Sequence, residues 1–103
     1  MNKFLSFMGL ACRAGAVVSG EFASEKAVKE GKARLVIVAA DASENTRKLF
    51  SDKCAYYDVP IIVYGNKEEL GHAIGKEYRA SLAVTQQSFA DGLIQRFDEL
   101  KTE

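Results

Sequence analysis

Apolar residues recur at helical spacing near the start of the chain. Phe4 and Met8 lie one helical turn apart within a segment that predicts a helix over residues 2–13. Phe7 and Leu10 extend the apolar surface around much of this helix. We therefore expect the first helix to be buried on more than one side.

Runs of β-branched and other apolar residues predict strands between the helical segments. The clearest run is Arg34–Ala40, which is almost continuously apolar, as is typical of a central strand covered on both faces. Shorter runs occur at Ala16–Val18, Ile61–Tyr64 and Leu82–Thr85. Because strands alternate with helices, the pattern predicts an α/β fold with helices on both faces of a mainly parallel or mixed sheet.

Capping residues indicate where the later helices begin. Ser19 is the candidate cap of the second helix, and Ser88 with Asp91 opens the last one. Asn66, followed three residues later by Glu69, has the pattern of a capping box. The predicted helices after the first are Glu21–Glu30, Glu44–Tyr57, Lys67–Ile74 and the segment that begins at Ser88.

Length and composition predict one globular domain over residues 1–103. Hydrophobic residues make up 48% of the chain and charged residues 27%, an ordinary globular mixture. The 14 Lys and Arg residues balance the 14 Asp and Glu residues, which excludes a strongly basic protein that coats nucleic acid. The apolar run Leu35–Ala40 is too short to span a bilayer, so no membrane association is expected.

Cysteine and histidine are too scarce for several kinds of site. Cys12, Cys54 and His72 cannot supply the four ligands of a structural zinc site, so no metal is expected. Two cysteines without paired spacing favour free thiols in a reducing compartment, and we expect a cytoplasmic protein.

The residues offer little for catalysis. The sequence contains no Gly-x-Gly-x-x-Gly, no Walker loop and no Ser-centred nucleophile elbow. His72 lies in a polar helix and is expected to be solvated, whereas Cys54 lies on an apolar helix face and is expected to be buried. We therefore expect no enzyme and no cofactor; a small enzyme that uses Cys54 and His72 is the alternative.

The neutral total charge hides an uneven distribution. Residues 1–34 contain six basic and three acidic side chains, a net charge of +3, and the remaining residues carry −3. Lys26 and Lys29 share one face of the second helix, whose N-terminus carries free backbone donors and suits a phosphate backbone. The alternative is a solvated helix surface with Glu25–Lys29 as an ion pair.

Several segments, taken in order, resemble one protein family. The segments are Ser19–Glu21, Lys26–Ala39, Val59–Pro60 and Lys67–Gly75, together with Lys3–Leu5, Leu10–Gly15 and Asp41–Thr46. Over residues 3–97 the chain resembles the small bacterial branch of the ribosomal protein family that binds kink-turn RNA. The resemblance implies a three-layer α/β/α sandwich around a four- or five-stranded mixed sheet.

The resemblance also implies a function and an RNA-binding site. Family members bind RNA that bends sharply beside tandem sheared G·A pairs, and for this chain a ribosome-associated and a regulatory role both stay open. Their glycine-led turn into the second helix, which enters the RNA groove, corresponds here to Gly20, Glu21 and Phe22. The lysine one turn later in the family, which meets a phosphate or a base edge, corresponds to Lys26. From its place on the same helix face, we expect Lys29 to neutralise a further phosphate.

A second loop of the family packs on an extruded nucleotide just before the last strand. On this chain the loop corresponds to Arg79, Ala80, Ser81 and Leu82. Arg47 and Lys48 follow the loop after the central strand, and their position indicates additional phosphate contacts. The expected partners are structured RNA, ribosomal or another non-coding RNA, and ribosomal proteins, bound by a monomer.

This sequence departs from the family pattern at two positions. Phe22 and Ala23 stand where many members carry a polar pair, Asn-Glu or Lys-Gln, that reads guanine edges. Losing that readout costs about 1–3 kcal/mol of discrimination. Phe22 either stacks on a base or packs into the protein. The alternative function is a protein-interaction module that has kept the fold and lost specific kink-turn recognition.

Overall fold

Helices and strands alternate along the whole of the computed structural model, which describes residues 1–102. The helices are α1 (Lys3–Arg13), α2 (Glu21–Lys29), α3 (Glu44–Tyr57), α4 (Lys67–Ala73) and α5 (Gln87–Lys101). The strands are β1 (Val17–Ser19), β2 (Leu35–Val38), β3 (Ile61–Val63) and β4 (Ser81–Val84). All the predicted elements are present, and strand boundaries differ from the prediction by one or two residues.

The four strands form a mixed sheet in the order β1-β4-β2-β3. β4 is antiparallel to both β1 and β2, whereas β2 and β3 are parallel. Ser19 pairs with Leu82, while Val38 pairs with both Ser81 and Val63. The last residues of β1, β2 and β3 and the first residues of β4 therefore lie at one end of the sheet, which we name the carboxyl end.

Helices cover the sheet on both faces. α2 and α3 pack against each other and against β4 and β2, respectively. α1 packs against α4 and α5, and α5 also contacts β4. Every residue of β2 and β4 is buried, as expected for strands with a helical layer on each face. The three-layer α/β/α fold is confirmed, with four strands in the sheet.

α1 supplies large side chains to the core. Phe4 and Met8 are fully buried, and contacts with α4, α5 and β1 confirm that the helix is covered on more than one side. Leu10 is the exception, because no other helix covers its side chain fully and it is 46% exposed.

The helix starts agree with the predicted caps only in part. Asn66 and Glu69 form the predicted capping box at α4. Ser19 is not a cap, because it belongs to β1; Gly20 is the N-cap of α2, and no side chain caps that helix. A strand that continues to Ser19 leaves the turn to the next residue, where a backbone with φ +95° requires glycine.

α5 begins one residue earlier than predicted. Ser88 lies inside the first turn, and the N-cap is Gln86, whose side chain makes no capping bond. Asp91 accepts a hydrogen bond from the Gln87 amide at 2.8 Å. Ser88 and Asp91 therefore do not form the predicted cap at the start of α5.

Candidate functional site

Three segments meet at the carboxyl end of the sheet. The backbone N–H of Gly20 donates to the carbonyl of Ser81 at 2.9 Å, which joins the start of α2 to the start of β4. The Arg79 Nε donates to the Ser19 hydroxyl at 3.0 Å. The segment before β4 and the turn into α2 are therefore held side by side.

The first turns of α2 and α3 are linked in the same region. The Thr46 hydroxyl donates to the Glu21 carboxylate at 3.1 Å and accepts from the Ser43 hydroxyl at 3.0 Å. Ser43 also caps α3 by accepting from the backbone N–H of Thr46. We refer to the resulting surface as the α2 corner. It is defined by Gly20, Glu21, Phe22, Lys26, Arg47, Arg79 and Ala80.

Gly20 gives the α2 corner its backbone shape. Its φ of +95° and ψ of 158° fall in a region that only glycine occupies without strain. A Cβ built at this position would meet nothing within 4 Å, so the backbone angle and not crowding selects glycine. No side chain caps α2, so the positive end of this helix keeps backbone N–H donors that no described side chain satisfies.

Phe22 points away from the protein. Its side chain is 80% exposed, whereas Ser24, Ala27 and Val28 turn the other face of α2 toward the sheet. Of the two expectations for Phe22, packing into the protein is wrong for this structure. The exposed ring remains available for stacking.

Lys26 and Lys29 differ in their surroundings although both are exposed. Lys29 lies 3.7 Å from the Glu25 carboxylate, as the ion-pair alternative predicts. Lys26 has no carboxylate oxygen within 4.0 Å among residues 1–102. The ammonium group of Lys26 is therefore the less neutralised of the two charges.

Arg47 and Lys48 lie at the start of α3. The Arg47 Nε donates to the carbonyl of Ala42 at 3.1 Å, which holds the guanidinium beside the loop after β2. Lys48 forms an exposed ion pair with Asp52, with 2.9 Å between Nζ and Oδ2. Arg47 thus belongs to the α2 corner, whereas the charge of Lys48 is paired farther along α3.

The predicted loop at residues 79–82 is shorter in the structure. Arg79 is fixed by its bond to Ser19 and by a 3.0 Å bond from its backbone N–H to the carbonyl of Lys67. Ser81 and Leu82 are not loop residues, because they belong to β4 and have no exposed surface. Leu82 pairs with both β1 and β2, and Ser81 pairs with β2. Only Arg79 and the half-buried Ala80 can reach a ligand from this segment.

Sequence reasoning missed one exposed aromatic residue beside the α2 corner. Tyr78 directly precedes Arg79 and is 60% exposed. The sequence could have indicated this residue, because Tyr78 is an aromatic residue directly before a cation in a loop.

Cys54 and His72 do not form a catalytic pair. Cys54 is buried in the layer of α2 and α3, and burial raises the pKa of its thiol to about 11. His72 is exposed on α4, which packs with α1 in the opposite layer. Residues 1–102 contain no cluster of potential metal ligands, and none of their helices has the length and hydropathy of a membrane span.

Comparisons with known proteins identify similar sequences. The model of the family described as "Ribosomal protein L7Ae/L30e/S12e/Gadd45 family" matches residues 3–94. The RNA-binding protein YlxQ of Bacillus subtilis (strain 168) is 45% identical over 96 residues, which cover 93% of this chain and 96% of that protein. The large ribosomal subunit protein eL30 of Methanoregula boonei is 36% identical over 83 residues, 79% of this chain and 82% of the relative.

Two solved structures resemble the whole fold. A Bacillus halodurans protein described as having unknown function superimposes with a TM-score of 0.92 and 41% identity, covering 95% of this chain and 99% of its own. The 15.5kD RNA binding protein of Giardia lamblia superimposes with a TM-score of 0.79 and 23% identity, covering 95% of this chain and 84% of its own. The second likeness concerns the fold alone.

Proposed function

Because the chain belongs to the ribosomal protein L7Ae/L30e/S12e/Gadd45 family, we propose that it is an RNA-binding protein whose α2 corner holds a sharply bent, kink-turn-like RNA. The relatives are RNA-binding and ribosomal proteins of a family without catalytic activity. The observation that carries the proposal is the meeting of the turn at Gly20, the start of α3 and the Arg79 segment in one corner.

The corner has the features that a phosphate backbone needs. The uncapped start of α2 presents its positive end, and the Lys26 ammonium lies on the same helix without a described carboxylate partner. Arg47 and Arg79 add guanidinium groups from two other segments, each positioned by a hydrogen bond. These groups come from three segments that meet at one end of the sheet, which favours a strand that bends around the corner.

The bases meet an unusual surface in this protein. Phe22 and Ala23 offer no polar atoms to guanine edges, so the discrimination comes from the bend of the RNA and from stacking on the exposed Phe22 ring. We propose that the bound RNA is ribosomal or another non-coding RNA and that ribosomal proteins are its neighbours. The monomer is sufficient, because one copy of the chain supplies the whole corner.

Substitution of Lys26 tests this docking. Lys26→Ala is expected to weaken binding to a kink-turn duplex and to reduce the slope of log K against log salt concentration by about one. Lys32→Ala is the matched control, because Lys32 is an exposed lysine beyond the opposite end of α2. Fluorescence anisotropy at several salt concentrations measures both quantities.

A duplex of the same length in which G·C pairs replace the G·A pairs controls for the bend. If both duplexes bind equally well, or if Lys26→Ala and Lys32→Ala weaken binding to the same extent, the proposed recognition of bent RNA at the α2 corner is wrong. Loss of RNA binding together with retained, nuclease-resistant capture of a protein partner would support the protein-interaction alternative.

A further inference from the structure

We propose that the groove between α1 and α5 binds an acidic, amphipathic segment of another protein. We refer to this surface as the α1–α5 groove. It is lined by Lys3, Ser6, Phe7, Leu10, Arg13 and Arg96. The groove combines an apolar floor with a rim of three cations, and its lining contains no acidic side chain.

The floor of the groove is aliphatic where it is accessible. Leu10 is 46% exposed although it lies in a helix that is otherwise packed into the core. The Phe7 ring is covered by the Arg96 guanidinium, whose central carbon lies 3.9 Å from the ring centroid. Phe89 packs against Phe7 with 5.4 Å between ring centroids. The groove can therefore bury an apolar side chain on Leu10, but it offers no free aromatic face.

The rim of the groove carries positive charge without internal neutralisation. Lys3, Arg13 and Arg96 have no carboxylate oxygen within 4.0 Å in the part of the chain that the structure describes. Arg96 is fixed by its contact with Phe7 and by a 3.0 Å bond from Nη1 to the carbonyl of Gly92. Charge complementarity therefore selects a partner with acidic side chains.

The groove continues toward the start of α1. Lys3 and Arg96 also line the adjoining depression, which adds the 78% exposed Met1 and the half-buried Leu100. Glu99 is the one carboxylate there among the described residues. Lys3 and Leu10 lie seven positions apart in α1, a rise of about 10 Å. Two apolar side chains about two helical turns apart on a partner helix, one on Leu10 and one in the depression beside Met1 and Leu100, fit this length.

A protein segment suits the α1–α5 groove better than RNA does. Sequence-tolerant RNA contacts use aromatic faces for base stacking, and the Phe7 ring is already covered. The groove also lies in the layer of α1 and α5, whereas the α2 corner lies in the layer of α2 and α3. A protein docked here leaves the α2 corner accessible, and the inference does not depend on the proposed RNA function.

The test uses a synthetic amphipathic peptide with leucines at positions i, i+4 and i+7 and glutamates elsewhere. Amide chemical shifts of the labelled protein are expected to change along α1 and α5 as the peptide is added. The Lys3→Glu/Arg13→Glu variant should weaken binding about tenfold or more, because like charges oppose each other. Lys32→Glu/Lys48→Glu is the control with the same change in charge on other surfaces, and it should stay within about twofold.

A second variant, Leu10→Gln, tests the apolar contact without a change in charge and should also weaken peptide binding. The proposal is overturned if the peptide shifts no amides of α1 and α5, or if a matched peptide with lysines in place of the glutamates binds as well. Shifts of the same amides by oligouridine would identify a second RNA surface instead. Shifts that depend on the protein concentration alone would identify a second copy of the chain as the occupant.

Discussion

Phe22 leaves its ring in water one residue into α2, at the place where a bound strand would pass the Gly20 turn. Because the ring is exposed, it contributes no hydrophobic free energy to folding of the free protein. Stacking on an unpaired base would remove one face of the ring from water and add about 1–3 kcal/mol of binding free energy.

Phe22→Ala is therefore expected to weaken binding to a kink-turn RNA by about 1–3 kcal/mol, while Phe22→Tyr retains most of the affinity. Tyr56→Ala is the matched control, because Tyr56 is 81% exposed on the surface of α3. Equal affinities of the Phe22→Ala variant and the wild-type protein would show that the ring makes no contact with RNA. Titration by fluorescence anisotropy provides the comparison.

Cys54 is a thiol that burial keeps protonated. The pKa rises from 9.0 to about 11 because the thiolate would be poorly solvated in the core. At pH 8, alkylation of Cys54 by iodoacetamide is expected to be at least about 100-fold slower in the folded than in the urea-unfolded protein. Mass spectrometry of a Cys12→Ser variant measures the rates, and equal rates would contradict burial as the cause.

The same shift of the Cys54 pKa predicts a dependence of stability on pH. Above pH 9 the unfolded chain releases the thiol proton and the folded chain retains it, so the free energy of unfolding falls between pH 9 and about 11. Below pH 9 this contribution is constant. The Cys54→Ala variant should lack this part of the pH dependence in urea denaturation.

The sequence predicts the kinds of residues in the candidate site better than their orientation. The turn at Gly20 and the exposed position of Lys26 follow from local pattern and family resemblance. The exposure of Phe22 depends on how α2 rotates over β4 when Ser24, Ala27 and Val28 are buried, which is a tertiary effect. The burial of Ser81 likewise comes from its pairing with Val38 of β2 and from the hydrogen bond that its carbonyl accepts from Gly20.

Among the elements, α3 has both of its predicted ends, whereas α5 begins one residue before its predicted start. Ser43 caps α3 with its own hydroxyl, a strong local signal that the sequence displays. α5 starts after Gln86 without a side-chain cap, so its first residue is set by packing rather than by a local signal. The three-layer fold and the starts of α2, α3 and α4 could be predicted because element order, apolar runs and local start signals agree, whereas the uncapped start of α5 could not.

The packing of α1 on α5 depends on a glycine. A Cβ on Gly92 would lie 2.6 Å from Cε2 of the Phe7 ring, and Arg96 and Phe89 hold that ring in place. The absence of a side chain at this position therefore allows the two helices to approach closely, which offsets the weak helix propensity of glycine.

Gly92→Ala is expected to lower the free energy of unfolding by about 1–3 kcal/mol, although alanine is the better helix former. Gln95→Ala, an exposed change in the same helix, should stay within about 0.5 kcal/mol. Urea denaturation measures both values. In a double-mutant cycle with Phe7→Leu, the combined loss should be smaller than the sum of the single losses; strict additivity would exclude the steric explanation.

At the scale of the whole molecule, the neutral chain separates two positively charged surfaces. The α2 corner and the α1–α5 groove lie in different helical layers, with the buried sheet between them. Because the two surfaces share no residue, we expect their occupants to bind independently.

Saturating the α1–α5 groove with the glutamate–leucine peptide should therefore change the Kd for a kink-turn RNA by less than about twofold at a fixed salt concentration. Anisotropy titrations of the RNA with and without the peptide measure this coupling. Full competition between peptide and RNA would mean that the two ligands use one surface, and it would contradict the assignment of separate sites.

The strand order β1-β4-β2-β3 has a consequence for synthesis on the ribosome. β4 is the last strand to be translated, yet it fills the gap between β1 and β2. The backbone N–H of Gly20 donates to the carbonyl of Ser81. A nascent chain that ends before β4 lacks this acceptor, so its turn at Gly20 is not yet held in place. The native sheet can therefore be completed only after this late segment emerges, and only then can the surface around Gly20 take its final shape.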